Sequence, residues 1–113
     1  MELAYTIKFV ADMDRAITWH RDVLNLKLAF QSPFWSEFDT GPVRLALHAA
    51  SEENAAGLVQ LGFRTEDIDA LYADRERLGL EFVTPPKSEH GTRIARLRDC
   101  EGAIISVSSK ALA

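Results

Sequence analysis

The chain has 113 residues, enough for one domain or for two small halves that share a core. It is 47% hydrophobic and 27% charged, with a net charge of -4, an ordinary globular balance without a basic stripe, so a nucleic-acid backbone is excluded as an expected partner. One cysteine, Cys100, rules out an intramolecular disulfide or a thiolate metal cluster, and no apolar run approaches membrane-spanning length.

The N-terminal stretch MELAYTIKFV lacks the basic-then-apolar shape of a signal peptide, so a cytoplasmic protein is expected. Residues 3–10 read as a strand from their aromatic and β-branched content. Asp12 is a helix N-cap, and Asp14 in the first turn suits the helix dipole. Met13, Ala16, Ile17, His20, Val23 and Leu24 follow the i, i+3, i+4 spacing of one helical face. Asn25 stands where a helix stops in a left-handed conformation. Three short strands follow, around residues 26–31, 34–39 and 43–49, with Gly41-Pro42 as a turn before the last.

The second half repeats the first. Asp12-Met13-Asp14 recurs as Asp67-Ile68-Asp69 at an offset of 55, and Leu24-Asn25-Leu26-Lys27-Leu28 recurs as Leu78-Gly79-Leu80-Glu81-Phe82 at an offset of 54. VQLGFRT (59–65) is the strand, Asp67 the cap, and Ile68, Leu71, Tyr72 and Leu78 the apolar side of a helix that Gly79 ends. Residues 80–86, 92–98 and 103–109 are the remaining strands, the last entered through a turn from Asp99 to Gly102. The architecture is α+β: two βαβββ repeats, residues 3–50 and 58–109 joined by a linker at 51–57, forming curved mixed sheets around a shared cleft with helices outside.

Alternation along each strand separates two faces. Leu45 and Leu47 pack under the helix, which leaves Arg44, Ala46 and His48 on the other side. In the same way Ile105 and Val107 pack down while Ile104, Ser106 and Ser108 face the cleft, and Leu61 and Phe63 pack down opposite Gln60, Gly62 and Arg64. Aligning the repeats pairs Tyr5 with Gln60 and Ala46 with Ser106.

The segments FVADMDRAITWHRDVLNLKL (9–28), TEDIDALYADRERLGLEFVTPP (65–86) and HGTRIARLRDCEGAIISV (90–107) resemble the vicinal oxygen chelate superfamily, which groups glyoxalase I, extradiol dioxygenases, fosfomycin-resistance transferases and bleomycin-resistance proteins. The resemblance covers nearly the whole chain and is specific for fold, less so for function, because this fold hosts several chemistries. It implies that the four paired positions, Tyr5, Ala46, Gln60 and Ser106, are those at which the family's metal enzymes hold a divalent ion with His, Glu or Gln. Ala46 has no donor, Ser106 offers a neutral hydroxyl where Glu is usual, and Tyr5 offers a phenol with a pKa near 10 where His is usual. Only Gln60 keeps ligand capacity, so neither a metal nor another cofactor is expected.

Other residues have two readings each. Phe34, Ser36 and Phe38 share one strand face and Trp35 and Glu37 the other; one set is core, the second an aromatic wall. His48 is either a rim residue or a displaced ligand or base, His20 a packed core histidine, and His90 a loop residue. Arg44, Arg64, Arg93 and Arg96 are candidate anchors for an anionic ligand, with Arg44 ranked first because it shares the face of Ala46.

The leading expectation is a metal-free small-molecule binding protein, of the type the resemblance attributes to bleomycin resistance. Tyr5, Trp35, Phe38, Arg44, Ala46, His48, Gln60 and Ser106 would line the site and a homodimer would be the working form. The alternative is a lyase, isomerase or dioxygenase of the glyoxalase type with a relocated metal on His48 and Gln60, joined by Glu37. A third is a structural dimer with a vestigial cleft.

Overall fold

The computed structural model describes residues 1–110. Its elements run β1 (Glu2–Val10), α1 (Met13–Asp22), β2 (Lys27–Phe30), β3 (Trp35–Asp39), β4 (Arg44–Ala49), β5 (Val59–Arg64), α2 (Ile68–Ala73), α3 (Arg75–Leu78), β6 (Glu81–Glu89), β7 (Thr92–Arg98) and β8 (Ile104–Lys110). This is the expected α+β pattern of βαβββ twice. By internal contacts it forms two compact units, residues 4–60 and residues 1–3 with 61 onward.

In the first unit the strand order is β2-β3-β4-β1. β3 lies antiparallel between β2 and β4, and β4 runs parallel to β1 with Tyr5 beside Arg44, Ile7 beside Ala46 and Phe9 beside His48. The helix α1 starts where Asp12 accepts a hydrogen bond from the Arg15 amide at 3.1 Å, which satisfies one of the four free N–H groups of the first turn. It ends as Asn25 turns left-handed, with φ of 57°. Ile17 packs with Val10, Phe38 and Leu47, supported by Met13, Ala16, Leu26, Leu28 and Leu45. His20 is buried as expected, its Nδ1 2.7 Å from the Ala16 carbonyl and its ring 5.8 Å from that of Phe38. Val23 and Leu24, expected on the same apolar face, are instead exposed at the C-terminal end of the helix, where Val23 is the C-cap and its amide still bonds the Trp19 carbonyl.

Residues 51–57 are held against their own unit. Ser51 and Asn54 bond each other, and the Gly57 amide returns to the Phe9 carbonyl at 2.8 Å.

In the second unit the order is β5-β8-β7-β6, with β5 parallel to β8 and the other pairs antiparallel. Its core is Ile68, Ala95, Leu97 and Val107, with Phe63, Leu71, Leu80, Phe82 and Ile105 against them. Leu61, expected to pack down beside Phe63, is exposed and takes no part in that core. Asp67 caps α2 by accepting from the amides of Asp69 and Ala70, both at 3.1 Å, and Ser109 accepts from the Ile68 amide at 3.3 Å.

The single helix expected up to Gly79 is two, α2 and α3, broken at Asp74, whose backbone (φ -96°, ψ 8°) is not helical. The Asp74 carboxylate accepts from Arg77 Nε at 2.9 Å, so its side chain is engaged with the next turn. The change of repeat offset from 55 to 54 falls between Asp69 and Leu78, the segment that contains the break. Gly79 then closes α3 in the left-handed conformation, as its position implied.

β6 runs through to Glu89, beyond the expected end, and tolerates Pro85 and Pro86 because it is the outer strand of its half and shifts register around them. It joins β7 through His90 and Gly91, both with positive φ (51° and 77°), the pair of conformations a two-residue hairpin needs. His90 is exposed there, a turn residue.

Arg93 of β7 clamps Asp69 of α2, with Nε to Oδ2 at 3.1 Å and Nη2 to Oδ1 at 2.5 Å. These bonds hold the Asp69 carboxyl below the usual aspartate value. A group with a depressed folded pKa contributes stability that is present at neutral pH and lost as pH falls through that pKa, hence below about pH 4. Asp69→Asn is therefore expected to flatten the acid limb of the urea-midpoint curve between pH 4 and 2. An unchanged acid limb would show that the clamp is not linked to folding.

Candidate functional site

On the face of the first sheet away from α1, odd-numbered β1 residues meet even-numbered β4 residues. Ile7, Phe9 and Ala46 form a buried apolar floor, with Tyr5, Trp35 and Ala50 packed around it. Ala46, one of the four paired positions, has no exposed surface at all. β3 brings Trp35 opposite His48 and Glu37 opposite Ala46.

The aromatic rings form a chain. The Trp35 indole meets Tyr5 edge-on at 5.6 Å and 77°, and meets His48 at 6.0 Å and 90°. His48 in turn lies 5.2 Å from Phe9. These are the offset and edge arrangements that aromatic quadrupoles favour. The His48 Nδ1 is 2.7 Å from the Ala49 carbonyl, and because a carbonyl only accepts, Nδ1 carries a hydrogen in this contact and Nε2 is the other polar atom of the ring.

Glu37 organises the polar rim. Its Oε2 accepts from Trp35 Nε1 at 2.8 Å and its Oε1 from Arg44 Nη1 at 3.1 Å. Arg44 is thus half of an ion pair, and Glu37 locks the indole into one orientation. Sequence alternation placed Glu37 with Trp35 but did not reveal this bridging role.

Phe38 does not belong to the site. It is fully buried on the opposite face, in the cluster under α1, while Trp35 faces the floor. Of the two sets that strand alternation left open, Ser36 and Phe38 are core. Phe34, which precedes β3 and escapes its alternation, is exposed.

Gln60 is buried, 9% exposed, at the end of the first unit, and Ser106 is buried, 8% exposed, on β8 of the second. Ser106 stands in register with Gly62 of β5 and Arg96 of β7. Ile7 and Phe9 were not singled out from the sequence. Their signal was their parity with Tyr5, on the face opposite Thr6 and Lys8.

The donor set at the four positions is a phenol, a methyl, an amide and a hydroxyl, which does not fit a divalent ion that prefers imidazole and carboxylate. Among the described residues no three His, Cys, Asp or Glu side chains are grouped to hold a metal. Each Glu37 oxygen accepts one hydrogen bond, from Trp35 and from Arg44. Two surface depressions, one at the start of α2 (Glu66, Asp67, Asp69, Ser109, Lys110) and one along α1 (Asp14, Arg15, Thr18, Trp19, Asp22, Val23), contain none of the expected site residues.

The family model described as the Glyoxalase/Bleomycin resistance protein/Dioxygenase superfamily matches residues 2–107. No curated protein sequence matches the chain. Among solved structures, a variant of Streptomyces coelicolor methylmalonyl-CoA epimerase in complex with 2-nitronate-propionyl-CoA is similar with a TM-score of 0.77 at 18% identity, covering 99% of this chain and 99% of that one. Methylmalonyl-CoA epimerase from Mycobacterium tuberculosis gives 0.76 at 22% identity, covering 98% of this chain and 89% of that one. A superfamily member from Vibrio splendidus 12B01 gives 0.73 at 14% identity over 97% and 100%. At these identities the likeness is one of fold.

Proposed function

The chain belongs to the glyoxalase/bleomycin resistance protein/dioxygenase superfamily, and from that premise we propose that it binds a small, mostly apolar organic molecule without a resident divalent metal. One observation carries this reading: the position where a metal ligand would stand on β4 is Ala46, buried in an apolar floor with Ile7 and Phe9. Around that floor Tyr5, Trp35 and His48 present flat aromatic surface, and His48 Nε2 and the Gln60 amide supply polar contacts of the kind that orient a ligand. The orientation of Trp35 is fixed in advance by Glu37, so little rotamer entropy is lost on binding.

A homodimer is part of the proposal. Phe30 and Phe34 are 52% and 72% exposed, large apolar side chains that a second copy would cover.

A metal enzyme of the glyoxalase type is the competing reading. Among the described residues no group of three His, Cys, Asp or Glu side chains favours it. Metal content decides between the two. After incubation with Zn, Ni, Mn or Fe(II) and desalting, the protein is expected to retain far less than one ion per chain. Near-stoichiometric retention that disappears in His48→Ala would overturn the proposal. In parallel, a binding compound is expected to raise Tm without turnover and to quench Trp35, an effect lost in Trp35→Phe. Light scattering would read the dimer as twice the chain mass.

A further inference from the structure

The second unit holds an arginine that the proposed binding face does not use. Arg96 is half-buried on β7 and, among the described residues, its guanidinium makes no ion pair or side-chain hydrogen bond. The other arginines of β7 are committed: Arg93 to Asp69, and Arg98 to Glu81 at 3.4 Å and to the Gly102 carbonyl at 2.9 Å. A charge-fixed fork with five donors, partly withdrawn from water and without a partner, is a costly arrangement to leave empty.

Its surroundings are donors as well. Register places Ser106 on one side of Arg96 and Thr84 on the other, so the three side chains share one face, with directly opposed Cβ atoms about 5 Å apart. Ser106 is 8% exposed, yet its hydroxyl makes no hydrogen bond among the described residues. Among the described residues no fully buried side-chain polar atom lacks a partner, so the Ser106 oxygen is the part of a buried residue that still meets solvent. The Thr84 hydroxyl accepts from the Arg96 amide at 3.0 Å, which leaves its own proton to donate. Gly62, beside Ser106 on β5, adds no side chain to the face. The acids on this face are Glu81, held by Arg98, and Glu89 at the hairpin end opposite Thr92.

From this we infer that the second unit carries an oxyanion subsite, in which Arg96 receives a carboxylate or phosphate group with both prongs of its guanidinium while Ser106 and Thr84 donate to the remaining lone pairs. The chemistry is that of bidentate, charge-assisted recognition. The subsite stands on its own residues and does not depend on the aromatic face of the first unit.

Titration of the folded protein with inorganic phosphate and, separately, with propionate tests it, followed by the Arg96 Nε–H and the Gly62 and Ser106 amide signals in nitrogen-proton spectra. Saturable shifts at these positions are expected with at least one anion, and which one binds distinguishes a phosphate from a carboxylate ligand. Arg96→Gln is expected to weaken that binding by at least ~10-fold and Ser106→Ala by ~3-fold. Arg96→Lys, which keeps the charge but loses the fork, should fall between and serves as the deciding variant if Arg96→Gln does not fold. Arg21→Gln, on the exposed Arg21–Asp22 pair, should change nothing. Unsaturable shifts with both anions, or binding within twofold of the parent in the Arg96 variants, would overturn the inference.

Discussion

Replacing Phe38 with alanine is expected to lower folding stability by about 3–5 kcal/mol, the range for emptying a buried phenylalanine site. The ring has no exposed surface and sits among Val10, Ile17 and Leu47, beside the His20 imidazole. The sheet behind it and the helix in front are both fixed by backbone hydrogen bonds, so the cavity collapses little. Against a total of roughly 5–15 kcal/mol for a small protein, the loss is large enough to show at once as a shifted urea midpoint. Trp35→Phe, on the other face of the same strand, gives the contrast. It keeps an aromatic ring but loses the indole bond to Glu37, about 1–3 kcal/mol for a bond to a charged group. The first variant should unfold early while binding normally at low temperature; the second should stay folded and bind poorly. Equal loss of stability in both would mean that the two faces of β3 are not functionally distinct.

Placing a carboxylate at Ala46 is the second large effect. Ala46→Glu buries an acid between Ile7 and Phe9, directly across the ladder from Glu37, whose own oxygens are already occupied. An uncompensated buried charge of this kind costs about 3–5 kcal/mol at neutral pH. Desolvation and the facing carboxylate both favour its neutral form, so its folded pKa is raised above the unfolded value of about 4.3. The sign follows. Relative to the parent, the variant should be least impaired at pH 4 and progressively worse as pH rises through the raised pKa. Urea midpoints of the two proteins from pH 4 to 8 measure this. Ala46→Gln, with the same length and no charge, should show a loss without the pH slope. If instead Ala46→Glu gained stability on adding Zn or Mn and kept one ion per chain, the remaining positions would be a metal site lacking a single ligand, and the proposed metal-free reading would fall.

The repeat made most of the architecture legible without coordinates. Asp12 and Asp67 announced two helix starts, Asn25 and Gly79 their ends, and alternation placed Ala46 and Ser106 away from Leu47 and Val107. Where reading failed, a local rule met a competing contact. The second helix breaks at Asp74, whose non-helical backbone is invisible to a hydrophobic period. The face of Phe38 was undecidable because both sides of β3 carry aromatics, and only the packing of Ile17 and Leu47 chooses between them. Arg44 looked like a ligand anchor on its face alone; it was Glu37, seven residues earlier, that claimed it. Arg96 is the reverse case, one of three arginines on β7 until the structure gives Arg93 and Arg98 their acidic partners.

The position of β8 has a consequence for how the chain acquires its shape as it is synthesised. β8 lies between β5 and β7, yet it is synthesised after both of them, and its pairing of Ser106 with Gly62 spans 44 residues. Until it arrives, β5 has no parallel neighbour in its half and the β6–β7 hairpin has only each other. The first unit meets the same demand earlier, when β4 slots beside β1 some 39 residues behind it. Such distant closures are slow compared with hairpin formation. The nascent second half must therefore wait, with Leu97 and Ala95 uncovered by Val107, until β8 has been made. Truncation ahead of Ile104 would remove an inner strand rather than trim an edge.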